Sequence, residues 1–206
     1  MVSAKGVHFD EQTNRNVEAW LNGSYDKETK LELKKMIEER PEEVIDAFYK
    51  NLEFGTGGLR GIMGIGSNRV NQYTIMTATQ ALANYIATQE IKDRPSVFIT
   101  YDSRNNSKFF ATVTARVLAA NGIKAYIFNE LRPLCLVSYG CRVKGCTAAV
   151  MITASHCLKE YNGYKVFWSD GAQVLPPHDK GIIDEVNQIQ DVAEVLLSDR
   201  DPDPLI

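Results

Sequence analysis

The residues best suited to chemistry stand together in residues 151–165, MITASHCLKEYNGYK. The apolar run Ala148-Ala149-Val150-Met151-Ile152 reads as a buried strand, and it ends abruptly in Thr153-Ala154-Ser155-His156. Open α/β sheets place ligands beyond the carboxyl ends of their strands, so a hydroxyl at that point is well placed to react. Ser155 offers a nucleophile, His156 a proton donor or acceptor, and Lys165 a fixed positive charge. This set suits chemistry on a phosphate better than chemistry on an amide. The ordinary alternative for Ser155 is a turn or helix cap. A serine-hydrolase reading has little support, because there is no G-x-S-x-G elbow and triad partners are neighbours in space, not in sequence. On an extended backbone His156 would point away from Ser155 and act as a separate contact to the reacting group. Tyr161-Asn162-Gly163 reads as a turn that folds Lys165 back towards the serine.

A second cluster lies in Phe54-Gly55-Thr56-Gly57-Gly58-Leu59-Arg60-Gly61. Glycines such as Gly57 and Gly58 let backbone N–H groups approach an anion, and Arg60 can bind phosphate in a bidentate way. No Lys-Ser/Thr pair follows at the spacing of a P-loop. A glycine-rich loop alone mostly makes turns; Arg60 and the later serine strengthen the phosphate reading. A third cluster is Tyr101-Asp102-Ser103-Arg104-Asn105-Asn106-Ser107. It is either a turn with a helix cap or a polar network in which Asp102 and Arg104 brace the reacting loops. Both readings stay open at this point.

The elements that must position these groups follow from periodicity. Residues 1–52 read as a helical extension. Val17, Trp20 and Leu21 recur at helical spacing, Asp26 can cap the next helix, and Leu31, Leu33, Met36 and Ile37 form its stripe. Pro41 opens a third helical segment with Val44, Ile45, Phe48, Tyr49 and Leu52 facing inward. These helices read as packing material, with partner binding as an alternative. Residues 53–195 alternate: a helix over 71–90, a strand over 96–100, a helix over 109–120, a strand over 124–128, a helix from Arg132-Pro133 to Lys144, and the strand before Ser155. That rhythm predicts an α/β layered fold. A strand over 164–168, a turn at Asp170-Gly171 and a return over 173–175 read as a hairpin, followed by a helix over 178–190. Residues 196–206, with Asp201-Pro202-Asp203-Pro204, read as linker.

Composition narrows the function classes. A chain of 206 residues can bury a core without staples. Its formal net charge of -3 does not fit a nucleic-acid footprint, which would be basic. No apolar run reaches the roughly 18 residues that suggest a membrane span. The start, MVSAKGVHFDEQTN, lacks the apolar core of a secretory signal, so the expected location is cytoplasmic. Cys135, Cys141, Cys146 and Cys157 contain no C-x-x-C pair and read as free thiols in a reducing compartment. Cys157 stands beside the serine stretch, where oxidation would block the site.

Thr153-Ala154-Ser155-His156 with Tyr161-Asn162-Gly163-Tyr164-Lys165 resembles the active-site loop of the α-D-phosphohexomutase family, the phosphoglucomutases and phosphomannomutases. Residues 54–61 are similar to that family's F-G-T-x-G-x-R-G segment, and residues 101–107 to its Y-D-x-R-x-x-S segment. Two positions depart from the pattern. Cys157-Leu158 stand where the family usually has Asn-Pro, which removes a fixed φ and restores an N–H. Leu134-Cys135 follow Arg132-Pro133 where it often has Thr-Pro. Residues 20–61 also resemble the N-terminal part of the larger mutases that act on glucose and pentose phosphates.

The resemblance implies the first of the family's four domains, an α/β/α layered domain with a mixed sheet behind a helical extension. It implies an isomerase in which Ser155 carries a phosphoryl group, gives it to a sugar phosphate, and takes one back from a hexose 1,6-bisphosphate intermediate. Arg60 would approach the transferring phosphate together with Lys165. Mg²⁺ would bind the Ser155 phosphate, with aspartates of a second domain as its other ligands. Sugar specificity and a further phosphate site would come from domains beyond this chain, so the isolated chain is expected to have little activity. The implied partners are a sugar phosphate and those C-terminal domains, with neither nucleic acid nor membrane. Two other classes remain open: a phosphosugar-binding module without chemistry, and an assembly fragment using the N-terminal helices.

Overall fold

The computed structural model describes residues 7–91 and 93–206. Two strands buried along their whole length set its frame, β2 (Ser96–Tyr101) and β4 (Ala148–Ile152). Continuous burial of this kind belongs to strands covered on both faces. β2 pairs in parallel with both β4 and β3 (Lys124–Ile127). On the other side β4 pairs antiparallel with β5 (Tyr161–Trp168), which pairs antiparallel with β1 (Gly58–Ile62). The sheet is therefore mixed, in the order β1-β5-β4-β2-β3, as an α/β domain of the expected kind requires.

Helices cover both faces. α4 (Gln72–Ala87), α5 (Ser107–Ala120) and α7 (His178–Gln188) bury Ile75, Leu82, Phe110, Leu118 and Ile182 against Ile99, Val150, Ile152, Tyr164 and Val166. α6 (Cys135–Lys144) packs Val137 and Cys141 on the opposite face, against Phe98, Ala149, Met151 and Phe167. The alternation of side chains along each strand divides the two cores. Asn71 caps α4 with its side chain and Thr74 answers through the reciprocal bond, a complete capping box.

The N-terminal extension has its own core. α1 (Glu11–Asn22), α2 (Lys27–Glu39) and α3 (Pro41–Phe48) enclose Phe9, Val17, Trp20, Leu33, Met36 and Phe48. Tyr73 of α4 joins that core and keys the extension to the α/β layers. Trp20 stacks on Tyr25 with ring centroids 4.2 Å apart and meets Tyr73 edge-on at 5.5 Å. The Tyr73 hydroxyl donates to Asp26, which also caps α2 by accepting from the Thr29 N–H at 2.7 Å. Among the described residues, no helix is long and apolar enough to cross a membrane.

The structure corrects several local expectations. Residues 58–62 form an edge strand and not a loop, because Leu59 is buried while Arg60 on the other face is exposed, the alternation of a strand. Tyr161-Asn162-Gly163 is the start of β5 and not a turn: Tyr161 pairs with Ile62, and Asn162 is fully buried with both ends of its amide bonded. The chain reverses earlier, within residues 155–160. Gly171, at φ +79°, makes the predicted turn after Trp168, but the returning segment keeps only one bridge, Phe167 to Gln173. The helix expected from Arg132 begins at Cys135. Residues 196–206 run back along the domain: Arg116 Nε donates to the Ser198 carbonyl at 2.6 Å, and the Ala125 N–H donates to the Leu205 carbonyl at 2.7 Å.

Candidate active site

Beyond Ile152 the chain leaves β4 in stages. The Thr153 N–H still donates to the Gly163 carbonyl at 3.0 Å, continuing the ladder with β5. Ser155 then adopts φ +56°, a left-handed conformation uncommon for a residue with a Cβ. Its N–H donates to Thr153 Oγ1 at 2.9 Å, and its side chain stands exposed. The extended backbone on which His156 would point away from Ser155 is not the one this loop adopts. With Ser155 left-handed and not extended, the neighbouring imidazole turns to the same side, and Nδ1 lies 3.4 Å from Ser155 Oγ.

The 102–107 segment grips this loop from behind. Asp102 Oδ2 accepts from the Thr153 hydroxyl at 2.5 Å, while Oδ1 accepts from the Arg104 N–H at 3.0 Å and the Ser107 hydroxyl at 2.8 Å. Arg104 Nη2 donates to the carbonyls of Ser155 at 2.8 Å and Cys157 at 2.6 Å. Arg104 Nη1 donates to those of Leu158 at 2.8 Å and Tyr161 at 3.1 Å. Its Nε faces Asp102 Oδ2 at 3.6 Å. The polar network and the helix entry turn out to be one structure, since Ser107 both opens α5 and bonds Asp102.

Arg60 and Lys165 present cations on one face of the β1–β5 pair. Arg60 lies opposite Gly163, and Lys165 opposite Gly58. Gly163 is in turn the partner of Thr153, so Arg60, Gly163 and Thr153 form one row across the strand ends, beside the serine loop. Among the described residues neither cation has a hydrogen bond or ion pair. Gly57 and Gly58 serve the backbone. Gly58 is at φ +136°, and a Cβ there would lie 1.8 Å from the Tyr164 carbonyl oxygen. Its N–H already donates to the Gly55 carbonyl at 3.0 Å, and the Gly57 carbonyl accepts from the Val166 N–H at 3.0 Å.

The residues present do not make a complete metal site. Among the described residues no group of three His, Cys, Asp or Glu side chains could hold an ion. Asp102, the nearest carboxylate to the loop in this network, spends both oxygens on the bonds above. Beneath the sheet, burial pushes the Tyr164 hydroxyl far above its ordinary range, and it stays neutral, 3.2 Å from Thr79 Oγ1.

Two functional positions escape a reading of residue types. Thr153 links Asp102 to the Ser155 amide, and the signal for it was the Thr-x-Ser spacing, since a threonine hydroxyl often bonds the N–H two residues on. Asn162 ties β5 to the Asp102 segment by donating to Ser107 Oγ and the Asn105 carbonyl, each at 3.0 Å. Its Asn-Gly sequence imitated a turn.

The α/β/α layering over a mixed five-stranded sheet is the architecture of a known sugar-phosphate mutase domain. Residues 51–193 match the family described as phosphoglucomutase/phosphomannomutase, alpha/beta/alpha domain I. The chain belongs to that family and carries its first domain. It is 36% identical over 193 residues to a phosphopentomutase of Pongo abelii, covering 89% of this chain and 31% of that protein. It is 42% identical over 127 residues to a phosphoglucomutase of Staphylococcus haemolyticus, covering 62% of this chain and 23% of that one. The crystal structure of the Paramecium phosphoglucomutase pp63/parafusin in its open form superposes with a TM-score of 0.62 at 21% identity, over 76% of this chain and 29% of that one. The chain therefore spans about a third of the length of the phosphopentomutase it matches, 31%.

Proposed function

We propose that Ser155 is the phosphoryl carrier of a phosphosugar mutase, of the type that interconverts glucose 1-phosphate and glucose 6-phosphate, and that this chain is its nucleophile domain. The observation that carries the reading is the left-handed, exposed Ser155 at the end of β4, with His156 Nδ1 3.4 Å from its Oγ. In the forward half-reaction the bond from phosphorus to Ser155 Oγ breaks and one to a sugar hydroxyl oxygen forms. The proton of that hydroxyl is released, and the freed Oγ leaves as an alkoxide or takes a proton from its surroundings. His156 is placed to hold that proton. In the return half-reaction the second phosphoryl group of the bisphosphate moves to Ser155 Oγ. Arg60 and Lys165 offset negative charge on the transferring group, the role that dominates phosphoryl transfer. Mg²⁺ would add further charge neutralisation, bound to the Ser155 phosphate with its other oxygen ligands supplied from outside this chain.

The test is phosphosite mapping on the protein from its own source after incubation with glucose 1,6-bisphosphate. One phosphoryl group on Ser155, absent from Ser155→Ala, is expected. Binding of glucose 1-phosphate with Ser155 unmodified would favour a binding module. Pure residues 1–206 are expected to show little or no Mg²⁺-dependent turnover of glucose 1-phosphate.

A further inference from the structure

The serine loop, residues 155–161, contains no proline to restrict it. Its reactive residue nevertheless sits in a conformation that costs energy. Something must hold it there, and the loop's own bonds are few: Cys157 N–H to the Ala154 carbonyl at 3.1 Å, and Tyr161 N–H to the Leu158 carbonyl at 3.1 Å. The stronger constraint comes from outside the loop. The Arg104 guanidinium turns into the domain: Nη1 and Nη2 donate to the carbonyls of Ser155, Cys157, Leu158 and Tyr161, and Nε forms a longer ion pair with the Asp102 carboxylate at 3.6 Å. The side chain is only 12% exposed.

Resting on the phosphoserine reading above, we infer that Arg104 is a positioning residue for phosphoryl transfer: it fixes the carbonyl side of the loop so that the Ser155 hydroxyl faces outward. The argument rests on direction and inventory. A guanidinium has five donors in a rigid plane and no acceptor. With both Nη atoms bonded to two loop carbonyls each and Nε turned to the Asp102 carboxylate, Arg104 is directed inward and away from a substrate phosphate, in contrast to Arg60, which has no side-chain partner among the described residues. The carbonyls it holds lie on the backbone between the reacting serine and β5, so it sets the loop's path and not its charge. Asp102 completes the device. It faces Arg104 Nε and also accepts from Thr153, whose Oγ1 receives the Ser155 N–H. Carbonyl and amide of Ser155 are thus both referred to one Asp102–Arg104 pair. A lysine has a compact ammonium with three donors and cannot span four carbonyls.

The test compares wild type, Arg104→Ala and Arg104→Lys, with glucose 1,6-bisphosphate as phosphoryl donor to Ser155. The expected result is a fall in the transfer rate on the order of 100-fold for Arg104→Ala, the scale of a misplacement of about 1 Å. The donor concentration for half-saturation should be nearly unchanged. Millimolar guanidinium ion should restore part of the Arg104→Ala rate, and Arg104→Lys should stay impaired. Hydrogen exchange gives a first readout in wild type alone, where the Cys157 and Tyr161 amides should be protected relative to His156 and Lys159, and a second in Arg104→Lys, where that protection should fall at least tenfold. Wild-type rate in Arg104→Lys, a pure loss of donor affinity, or equal exchange across the wild-type loop would overturn the inference. If wild-type Ser155 accepts no phosphoryl group, the functional reading falls instead, and the exchange pattern still decides the clamp.

Discussion

Arg60 and Lys165 rise from one face of the β1–β5 pair on a diagonal, and each stands directly across from a glycine, Arg60 from Gly163 and Lys165 from Gly58. Diagonal neighbours on antiparallel strands are about 7–8 Å apart. Like charges at that range repel, and an anion between them relieves the repulsion. Neither glycine position has room for a side chain, since an added Cβ would lie 1.8 Å from the Tyr164 carbonyl oxygen at Gly58 and 2.7 Å from the Leu59 carbonyl oxygen at Gly163.

That geometry makes the two cations separable by measurement. Arg60→Gln and Lys165→Gln are each expected to weaken glucose 1-phosphate binding about tenfold or more, since a charge-assisted hydrogen bond contributes about 1.5–3 kcal/mol. Affinity should also fall as salt is raised. Calorimetric titration of the two variants would show it. Unchanged affinity in both would place the phosphate elsewhere.

Gly58 is expected to matter for stability before it matters for ligand. With φ at +136° and the Tyr164 carbonyl oxygen 1.8 Å from an added Cβ, Gly58→Ala must move β1 away from β5. The expected cost is about 2–4 kcal/mol, read as a lower denaturation midpoint in urea. Full stability with lost phosphate binding would instead return the glycine to an anion cradle.

Much of this domain can be read from residue types because its centre obeys simple rules. β2 and β4 are short apolar runs, and the rhythm of helix and strand around them needs little tertiary help. The misread parts lie where chemistry-bearing residues double as structure. The glycines of residues 55–61 signal a loop, yet they permit an edge strand to approach β5 closely. Asn162-Gly163 signals a turn, yet the asparagine is buried because Ser107 and Asn105 satisfy it. Arg104 could be picked from its motif, but its four carbonyl partners sit 51 to 57 residues away in sequence, and no local pattern names them.

Ser155 itself should show function at odds with stability. A left-handed residue with a Cβ costs roughly 1 kcal/mol, offset in part by the chain entropy that glycine loses on folding. Ser155→Gly is therefore expected to melt no lower than wild type while losing all phosphoserine. Ser155→Val, branched at Cβ, should melt lower. Thermal unfolding of the three proteins side by side would decide it, and a marked loss of stability in Ser155→Gly would count against strain at this position.

The docking of the helical extension is expected to depend on acid. Burial alone would raise the Asp26 pKa, but bonds from the Tyr73 hydroxyl and from the Thr29 N–H and hydroxyl outweigh it and hold the carboxyl below its ordinary 3.8. A pKa depressed in the folded state contributes stability that is present above the unfolded value and lost as pH falls through the folded one. The contribution should thus be intact at neutral pH and vanish as pH drops below about 4. Trp20 reports on it directly, being stacked on Tyr25 and in edge contact with Tyr73. Asp26→Asn keeps a good helix cap but has no carboxyl to titrate, so its fluorescence transition should lose the acid dependence of wild type in this range. Asp26→Ala also loses the cap and should be less stable by about 1 kcal/mol at pH 7. If Asp26→Asn retained the wild-type acid dependence, another carboxylate would be responsible for it.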